Sequence, residues 1–143
     1  MHIQQISVFV ENKPGRMAEI TETISAAAVD IRAISIADTS DFGILRVIVN
    51  QPEKAAEVLR AAGFTVSITS VIAIGIDDAV GEFSRAMRLL ADNRITVEYM
   101  YAFVSKEHGK ASIILRVDDD DHAAQVLAQH GISILSAKEV YNM

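Results

Sequence analysis

The fold of this chain is decided by a turn that leads into a helix-like stretch, Asn12-Lys13-Pro14-Gly15-Arg16-Met17. A similar turn returns 66 positions later as Asp78-Ala79-Val80-Gly81-Glu82-Phe83. Polar turn residues and a glycine, followed by apolar residues at helical spacing, mark the passage from a strand to a helix. Because this passage occurs twice, the sequence predicts a duplicated domain.

The repeat extends along the whole chain. At the same offset of 66, Val29 matches Ile95. Farther on the offset is 68, and there Ala55, Leu59 and Gly63 recur as Ala123, Leu127 and Gly131. The additional residues fall around 108–109, between the second and third strands of the repeat. We therefore expect two related domains, residues 1–69 and residues 70–143.

The composition excludes several classes of protein. The chain has 143 residues, of which 50% are apolar and 22% charged, and this predicts a folded protein. The formal net charge of −6 argues against binding to nucleic acid, which needs a basic surface. The absence of cysteine excludes disulfides, thiol catalysis and thiolate metal sites. Each half is marginal alone, because so small a domain buries only about 60% of its unfolded surface.

The sequence contains no segment that predicts membrane association. The N-terminus enters a strand pattern within its first residues, so we expect no signal peptide. The longest uncharged stretch, residues 61–76, contains glycines and serines and is shorter than a bilayer requires. We expect a cytoplasmic protein.

Each half is predicted to follow the order strand, helix, strand, strand, helix, strand. In the first half, residues 4–10 alternate as in a strand, and Met17, Ile20 and Ile24 recur at helical spacing. Further strands are predicted at 29–37, 44–49 and 64–69, and a second helix begins at Pro52 and ends before Gly63. The second half copies this order. The predicted fold is α+β, a ferredoxin-like βαββαβ unit repeated twice, with antiparallel sheets joined side by side and helices on one face.

The sheet face that points away from the helices is predicted to be unusually apolar. It should carry Phe9, Arg46, Ile48, Ile114 and Arg116. Scattered surface hydrophobes are one explanation, and a surface buried between subunits is the other. We favour the second and expect a homodimer that buries Phe9, Ile48 and Ile114.

The first turn is also the best candidate binding site. The N-terminus of a helix presents unpaired N–H groups and the positive end of the helix dipole, which favour a carboxylate. Gly15 lets a ligand approach the backbone, and Arg16 adds a positive charge. The alternative is an ordinary connection between a strand and a helix.

The remaining polar clusters are predicted to be structural. The run Asp118-Asp119-Asp120-Asp121 precedes a predicted helix, so we expect it to cap that helix rather than to bind a cation. The histidines are dispersed and form no zinc-binding pair. Tyr99, Tyr101 and Phe103 alternate along a strand, where packing is favoured over the stacking of bases because the chain is acidic. No phosphate loop or nucleophile motif is present, and no cofactor is expected.

With this order of elements, and with Asn12-Lys13-Pro14-Gly15 between the first strand and the first helix, the chain resembles the ACT domain family twice over. The resemblance is strengthened by Ala27-Ala28-Val29-Asp30-Ile31 at the helix end and by Phe42-Gly43-Ile44-Leu45-Arg46-Val47 in the third strand. It covers essentially the whole chain and implies a stand-alone tandem of amino-acid-binding regulatory modules. Asn12 departs from the family, in which the turn usually starts with Asp. Val80 replaces the proline in the second turn, so two equivalent sites are not expected.

The resemblance also implies where a ligand binds. In ACT domains that bind amino acids, the ligand commonly lies where the loop after the first strand of one unit meets the second strand of its neighbour. The first implied site consists of Asn12, Lys13, Pro14, Gly15, Arg16 and Met17 facing Ile95, Thr96 and Val97. The converse site consists of Asp78, Gly81, Glu82 and Phe83 facing Ile31. We expect the first site to bind more strongly, and we expect Asp78 or Glu82 to receive a ligand ammonium group.

The implied function is non-enzymatic. The chain is expected to bind a small molecule, an amino acid, and to act on a separate metabolic enzyme or regulator. One alternative is an acylphosphatase-like enzyme, which shares this topology and would use Arg16 and Asn12, but the longer phosphate-binding loop is missing. A second alternative, an RNA-binding sheet that uses Tyr99 and Tyr101, is opposed by the negative charge.

Overall fold

The computed structural model describes residues 2–38, 41–103 and 107–142. The chain divides into two compact units. The first unit comprises residues 4–69 with Asn142, and the second unit comprises residues 70–141 with the N-terminal His2 and Ile3.

The first unit folds in the predicted order. Its apolar residues alternate in the strands and recur every three or four positions in the helices, so each element buries one face. The elements are β1 (Ile3–Glu11), α1 (Arg16–Ala26), β2 (Ile31–Asp38), β3 (Phe42–Val49), α2 (Pro52–Ala61) and the beginning of β4 (Thr65–Asp77). Strand β3 lies between β2 and β1 and is antiparallel to both, with Val47 opposite Ile34 on one side and Ile6 on the other.

The second unit repeats this order. It contains the rest of β4, then α3 (Glu82–Asp92), β5 (Val97–Phe103), β6 (Lys110–Val117), α4 (Asp120–Gln129), β7 (Ser133–Leu135) and α5 (Ala137–Tyr141). Strand β6 lies between β4 and β5 and is antiparallel to both, and the short β7 pairs with β4. The predicted ferredoxin-like order, present twice, is confirmed.

Each unit has its own apolar core between its helices and one face of its sheet. In the first unit this core includes Val8 and Leu45 from the strands and Ile24 and Leu59 from the helices. At the equivalent positions the second core has Ile74, Ile113, Leu90 and Leu127. Because a fully buried side chain of this size contributes about 1.5–3 kcal/mol, the matched cores stabilise the two units in the same way.

The two units also share uncommon backbone conformations. Gly15 and Gly81 precede α1 and α3 with φ angles of 87° and 91°. Ala28 and Arg94 follow the same helices with φ angles of 58° and 59°. Positive φ is unfavourable for alanine and arginine because Cβ crowds the carbonyl oxygen. Its recurrence at matching positions supports the duplication independently of side-chain identity.

The structure differs from the sequence prediction in the length of one strand and in one additional helix. The strands predicted on either side of residue 70 form one continuous element, β4, since Ser70 and Val71 give no turn signal. Helix α5 was not predicted. Its signal was a capping box, in which the Ser136 N–H donates to the Glu139 carboxylate over 2.6 Å and the Glu139 N–H donates to the Ser136 hydroxyl over 3.1 Å.

The prediction for the outward sheet face was wrong in part. Ile48 and Ile114 are fully buried within the chain, so neither is available to a partner. Ile114 lies on β6 between Ala73 of β4 and Tyr101 of β5. Of the three residues expected to be covered by a dimer, only Phe9 is accessible, with 50% of its surface exposed.

Candidate functional site

The two turns between a first strand and its helix have the same main-chain structure. The N–H of Lys13 donates to the carbonyl of Glu11 over 2.8 Å, and at the equivalent position the N–H of Ala79 donates to Asp77 over 2.9 Å. Gly15 and Gly81 then occupy the residue before the helix, and neither helix has a side-chain cap on its first N–H groups. Both turns therefore present main-chain donors at the start of a helix.

The two turns have the same backbone shape although one contains a proline and the other does not. Val80 replaces Pro14 without changing the main-chain bonds on either side, and its side chain is fully exposed. The turn depends on the positive φ of its glycine, which a proline one residue earlier does not supply. The turns differ in chemistry rather than in backbone shape.

The order of the two charged residues in the first turn of the helix is reversed between the units. Arg16 begins α1 and pairs with Glu19 over 3.0 Å, whereas Glu82 begins α3 and pairs with Arg85 over 3.3 Å. Arg85 also donates to the carbonyl of His130 over 3.0 Å. Each helix thus begins with one arginine–glutamate pair, and the two residues stand in opposite order along the chain.

An acidic residue paired with a lysine ends the strand before each turn. In the first unit the ammonium of Lys13 is 3.0 Å from Glu11, and in the second unit Lys110 of β6 pairs with Asp77. The hydrogen bond from each lysine, with its charge, lowers the pKa of the partner carboxyl, and Asp77 raises the pKa of Lys110. The paired lysine comes from the turn itself in the first unit but from the neighbouring strand in the second.

Each turn borders a cavity that reaches the second strand of its own unit. The cavity of the first unit measures about 50 Å³ and that of the second about 440 Å³. The first is lined by Val10, Glu11, Asn12, Lys13, Arg16, Met17, Ile36 and Gly43. The second is lined by Ile76, Asp77, Asp78, Ala79, Phe83, Met100, Tyr101, Ala102, Ala111 and Ile113. The second falls within the range of ligand pockets, about 300–1,000 Å³. So does a further cavity of the first unit, which measures about 470 Å³ and is lined by Phe9, Glu11, Arg16, Glu19, Phe42, Ala62, Gly63, Phe64 and Thr65.

Two residues that line the first cavity have smaller equivalents in the second. In the first unit Ile36 lies over Gly43, since a Cβ on that glycine would be 3.6 Å from the Ile36 Cδ1 atom. The residue equivalent to Ile36 is Ala102, which leaves this space open. Lys13 lines the first cavity with its long side chain, whereas its equivalent in the second cavity is Ala79.

Of the residues predicted to bind a ligand, those in the two turns lie at or next to the cavities. Among the residues carried over from the resemblance, Asn12, Lys13, Arg16 and Met17 line the first cavity, and Asp78 and Phe83 line the second. Pro14, Gly15, Gly81 and Glu82 belong to the same turns. The turns thus place a helix N-terminus beside each cavity.

The predicted residues on the second strands lie apart from these cavities and have structural roles in their own units. Ile95 belongs to the second core, and Ile31 and Val97 pack against the cores of their units. The N–H of Thr96 donates to the Asp118 carboxylate over 3.0 Å, a bond that links the start of β5 to the end of β6. The first unit has the equivalent bond between Asp30 and Asn50.

Sequence reasoning missed the second-strand residues that do line the cavities, Ile36, Met100 and Ala102. It placed the site at the start of the second strand, whereas the cavities lie farther along it. The sequence contained a signal, because Ile34 and Ile36 alternate on one face and the offset of 66 leads from Ile36 to Ala102.

The run of aspartates has the predicted capping role. Asp119 caps α4 by accepting a hydrogen bond from the N–H of His122 over 3.1 Å, and Asp120 accepts from the Ser70 hydroxyl over 2.7 Å. Among residues 2–38, 41–103 and 107–142, no three histidine or acidic side chains are grouped so as to hold a metal ion. Within the same ranges, no helix is long and apolar enough to cross a membrane.

The family model of the ACT domain pair matches residues 1–143. This chain belongs to the paired ACT domain family. The resemblance inferred from the two turns is therefore confirmed over the full length. No sequence among the curated proteins matches this ACT pair.

Several solved structures share the fold of this ACT pair. Protein BT0572 from Bacteroides thetaiotaomicron is 34% identical with a TM-score of 0.94, and the match covers 100% of this chain and 98% of that chain. The ligand-free regulatory subunit of aspartate kinase from Thermus thermophilus is 14% identical with a TM-score of 0.67, covering 91% and 93%. The aspartokinase alpha and beta subunits are 19% identical with a TM-score of 0.61, covering 88% and 90%. The last two likenesses concern the fold alone.

Proposed function

We propose that this ACT pair is a non-enzymatic regulatory protein that binds an amino acid and transmits its presence to a separate protein. The observation that carries this proposal is the cavity of about 440 Å³ beside the turn of the second ACT unit. The cavity adjoins the start of a helix whose first N–H groups have no side-chain cap. An apolar cavity with a few polar groups at its edge is the usual form of a small-molecule site.

The turns supply groups for both ends of an amino acid. Main-chain N–H groups near Gly15 and near Gly81 suit a carboxylate, and Asp78 suits an ammonium group. We accordingly retain the predicted residues of both turns as proposed ligand-binding residues, namely 12–17, Asp78, Gly81, Glu82 and Phe83.

We also propose that the regulated partner is a metabolic enzyme or its regulator, and that the chain forms a homodimer. The fold is shared with a regulatory subunit of aspartate kinase, a protein that by its name regulates an enzyme of metabolism. Large apolar side chains are exposed on the first unit, including Ile34, Ile36 and the stacked rings of Phe9 and Phe42, whose centroids are 4.9 Å apart. A group of exposed apolar residues favours association.

An acylphosphatase-like activity is not favoured by the geometry of the first turn. Arg16, which that reaction would use to bind phosphate, has its guanidinium paired with Glu19. A phosphatase assay on the purified chain should show no hydrolysis of an acyl phosphate above the uncatalysed rate.

A thermal-shift screen of the twenty amino acids tests the proposed function. A ligand at 100 times its dissociation constant stabilises the folded protein by roughly 2.7 kcal/mol. For a chain of this size we expect a rise in Tm of roughly 5–10 °C with at least one amino acid. If none of the twenty raises Tm at millimolar concentration, amino-acid binding is wrong.

A further inference from the structure

We infer that this ACT pair docks onto the protein that it regulates through the surface around its second turn. The docking segment of that protein carries apolar side chains flanked by lysine or arginine. This inference rests on the proposed function, which includes a separate partner protein, and deepens it by assigning the surface and the chemistry of the partner. We call this surface the docking face, and it comprises residues 76–83, 100–102 and 107–111.

The exposed apolar residues of the second unit are gathered on the docking face. Among the described residues of that unit, the large apolar side chains that are at least 40% exposed are Val80, Phe83 and Met100. Phe83 and Met100 line the cavity of about 440 Å³, and Val80 belongs to the turn beside it. Exposed apolar residues that are grouped in this way mark a site of interaction.

The exposed apolar surface extends beyond the cavity. Val80 is fully exposed and does not line the cavity, so a small molecule inside the cavity would leave Val80 in water. A protein segment can place one large side chain in the cavity, against Ile76 and Ile113, and a second one against Val80. Covering both removes more apolar surface from water, which favours a macromolecular partner.

The rim of the docking face is acidic. Within the described residues, its carboxylates outnumber its cations, and the charged side chains at the rim are Asp77, Asp78, Glu82, Glu107, Arg85 and Lys110. Asp77 pairs with Lys110, and Glu82 pairs with Arg85 over 3.3 Å, whereas Asp78 forms no ion pair with any described residue. The excess of negative charge complements a partner segment that carries lysine or arginine.

The same charge argues against the other occupants of this surface. In a two-fold dimer the docking face would meet its own copy, and the two acidic rims would repel each other. Nucleic acids and anionic membranes are also negative, as is the whole chain with its formal net charge of −6. A basic segment is attracted from a distance.

Main-chain hydrogen bonds hold the docking face in place before a partner binds. The N–H of Asp78 donates to the carbonyl of Gly109 over 2.8 Å, and the N–H of Arg85 donates to the carbonyl of Gly81 over 2.9 Å. A surface that is already ordered loses little conformational entropy on binding. The amino acid proposed for the cavity would contact the same side chains, so it and the partner are expected to exclude one another.

Model peptides test the chemistry of the partner. The probe is an acetylated peptide of about 14 residues with leucine at helical spacing and lysine elsewhere. One matched peptide has glutamate in place of lysine, and another has alanine in place of leucine. Fluorescence anisotropy of the labelled peptides with the full chain measures the affinities. We expect both matched peptides to bind at least about tenfold more weakly than the leucine–lysine peptide.

Substitutions at exposed positions test the location. Val80→Ser removes an apolar side chain and should weaken the leucine–lysine peptide by roughly fivefold. Asp78→Lys reverses a charge at the rim and should weaken it by roughly tenfold at low salt and by less at high salt. The matched controls are Ile68→Ser and Glu22→Lys, which make the same kinds of change at exposed positions of the first unit and should have no effect.

The outcomes separate this inference from the proposed binding of an amino acid. If an amino acid binds but the leucine–lysine peptide does not, or if Val80→Ser and Asp78→Lys retain full affinity for the peptide, the docking face is wrong and amino-acid binding stands. If the peptide binds as expected and none of the twenty amino acids does, the docking face is correct and the proposed ligand is wrong. Equal binding of the glutamate peptide, or a dimer of the chain that Val80→Ser abolishes, would overturn the inference. Displacement of the peptide by the amino acid that raises Tm most would support it, and simultaneous binding of both would contradict the exclusion.

Discussion

Gly15 and Gly81 show what a single residue contributes to each turn. Their φ angles are 87° and 91°, although the residues before them differ. A Cβ added to either glycine would meet no atom within 4 Å, so the backbone conformation, rather than a lack of space, requires glycine. The sequence analysis used both glycines to locate the passage from a strand to a helix, and each of them directly precedes its helix. A fixed φ at Pro14 is not needed for this turn, since Val80 occupies the same place in the second unit.

Alanine at these positions should therefore destabilise both units to a similar extent. We expect Gly15→Ala and Gly81→Ala each to lower the free energy of unfolding by about 1 kcal/mol, because alanine resists positive φ. Asparagine, which tolerates this conformation better, should cost less at both positions. Urea unfolding monitored by circular dichroism measures the change. A large loss of unfolding free energy in only one of the two alanine variants would show that the two turns are not equivalent.

The paired carboxyl groups before each turn give a second prediction at this scale. We expect the pKa of Asp77 to lie below its ordinary value, and Lys110→Gln to return it toward that value, since the lysine supplies the lowering hydrogen bond and charge. A lowered pKa means that the ionised form stabilises the fold. This contribution is present at neutral pH and is lost as pH falls through the folded-state pKa.

Carboxyl NMR titration of the two acids measures these values, and each unit serves as the control for the other. Lys13→Gln should raise the pKa of Glu11 and leave Asp77 unchanged. An unaltered Asp77 titration in Lys110→Gln would contradict the pairing.

At the scale of the elements, the four long helices end in the same way. After each one, a residue with positive φ donates to a carbonyl three positions back, and the next N–H donates five positions back, as Val29 does to Ile24 over 3.3 Å and Ile95 does to Leu90 over 2.9 Å. This is the Schellman motif. Helices α2 and α4 place glycine at the position of positive φ, whereas α1 and α3 place Ala28 and Arg94 there.

Glycine should therefore stabilise the ends of α1 and α3. We expect Ala28→Gly and Arg94→Gly each to raise the free energy of unfolding by about 1 kcal/mol, since the strain of a Cβ at positive φ is removed. The reverse exchange, Gly63→Ala or Gly131→Ala, should lower it by a similar amount. Differential scanning calorimetry detects both directions, and a loss of stability in Ala28→Gly would contradict the assignment.

Most elements were predictable from the sequence because their apolar periodicity agrees with their turn chemistry. Helix α2 has Pro52 at its start and Gly63 just beyond its end, and both signals act locally. The continuity of β4 was not predictable in this way, since Ser70 and Val71 are compatible with either a strand or a short connection. Helix α5 has only one turn, so its capping box was the sole local signal.

At the scale of the whole molecule, the exposed apolar residues of the first unit predict association of two chains. We expect Phe9→Asp to shift the protein toward the monomer, because a carboxylate would be buried at the contact without a partner. Phe9 is half exposed, so the substitution should not unfold the chain. Analytical ultracentrifugation gives the mass of the species.

A charge placed elsewhere controls for this change. Ala128→Asp adds the same charge at an exposed position of α4 and should leave the sedimentation profile unchanged. Identical profiles for wild type and Phe9→Asp would remove this surface from any dimer.

The candidate site was less predictable than the fold. The turns could be found because Gly15 and Gly81 are local signals. The size of a cavity depends on side chains from neighbouring strands, such as Ile36 over Gly43 in one unit and Ala102 and Ala111 in the other. Local signals therefore located the two turns but not the cavities beside them.

The proposed binding of an amino acid beside one of the turns of this ACT pair can be measured by NMR. Backbone amide signals of the uniformly labelled chain are followed while the amino acid that raises Tm most is added. We expect saturable shifts concentrated in residues 76–83 and 100–102, with smaller changes in residues 12–17. Saturable shifts confined to other parts of the chain, or no shifts with any of the twenty amino acids at millimolar concentration, would contradict it.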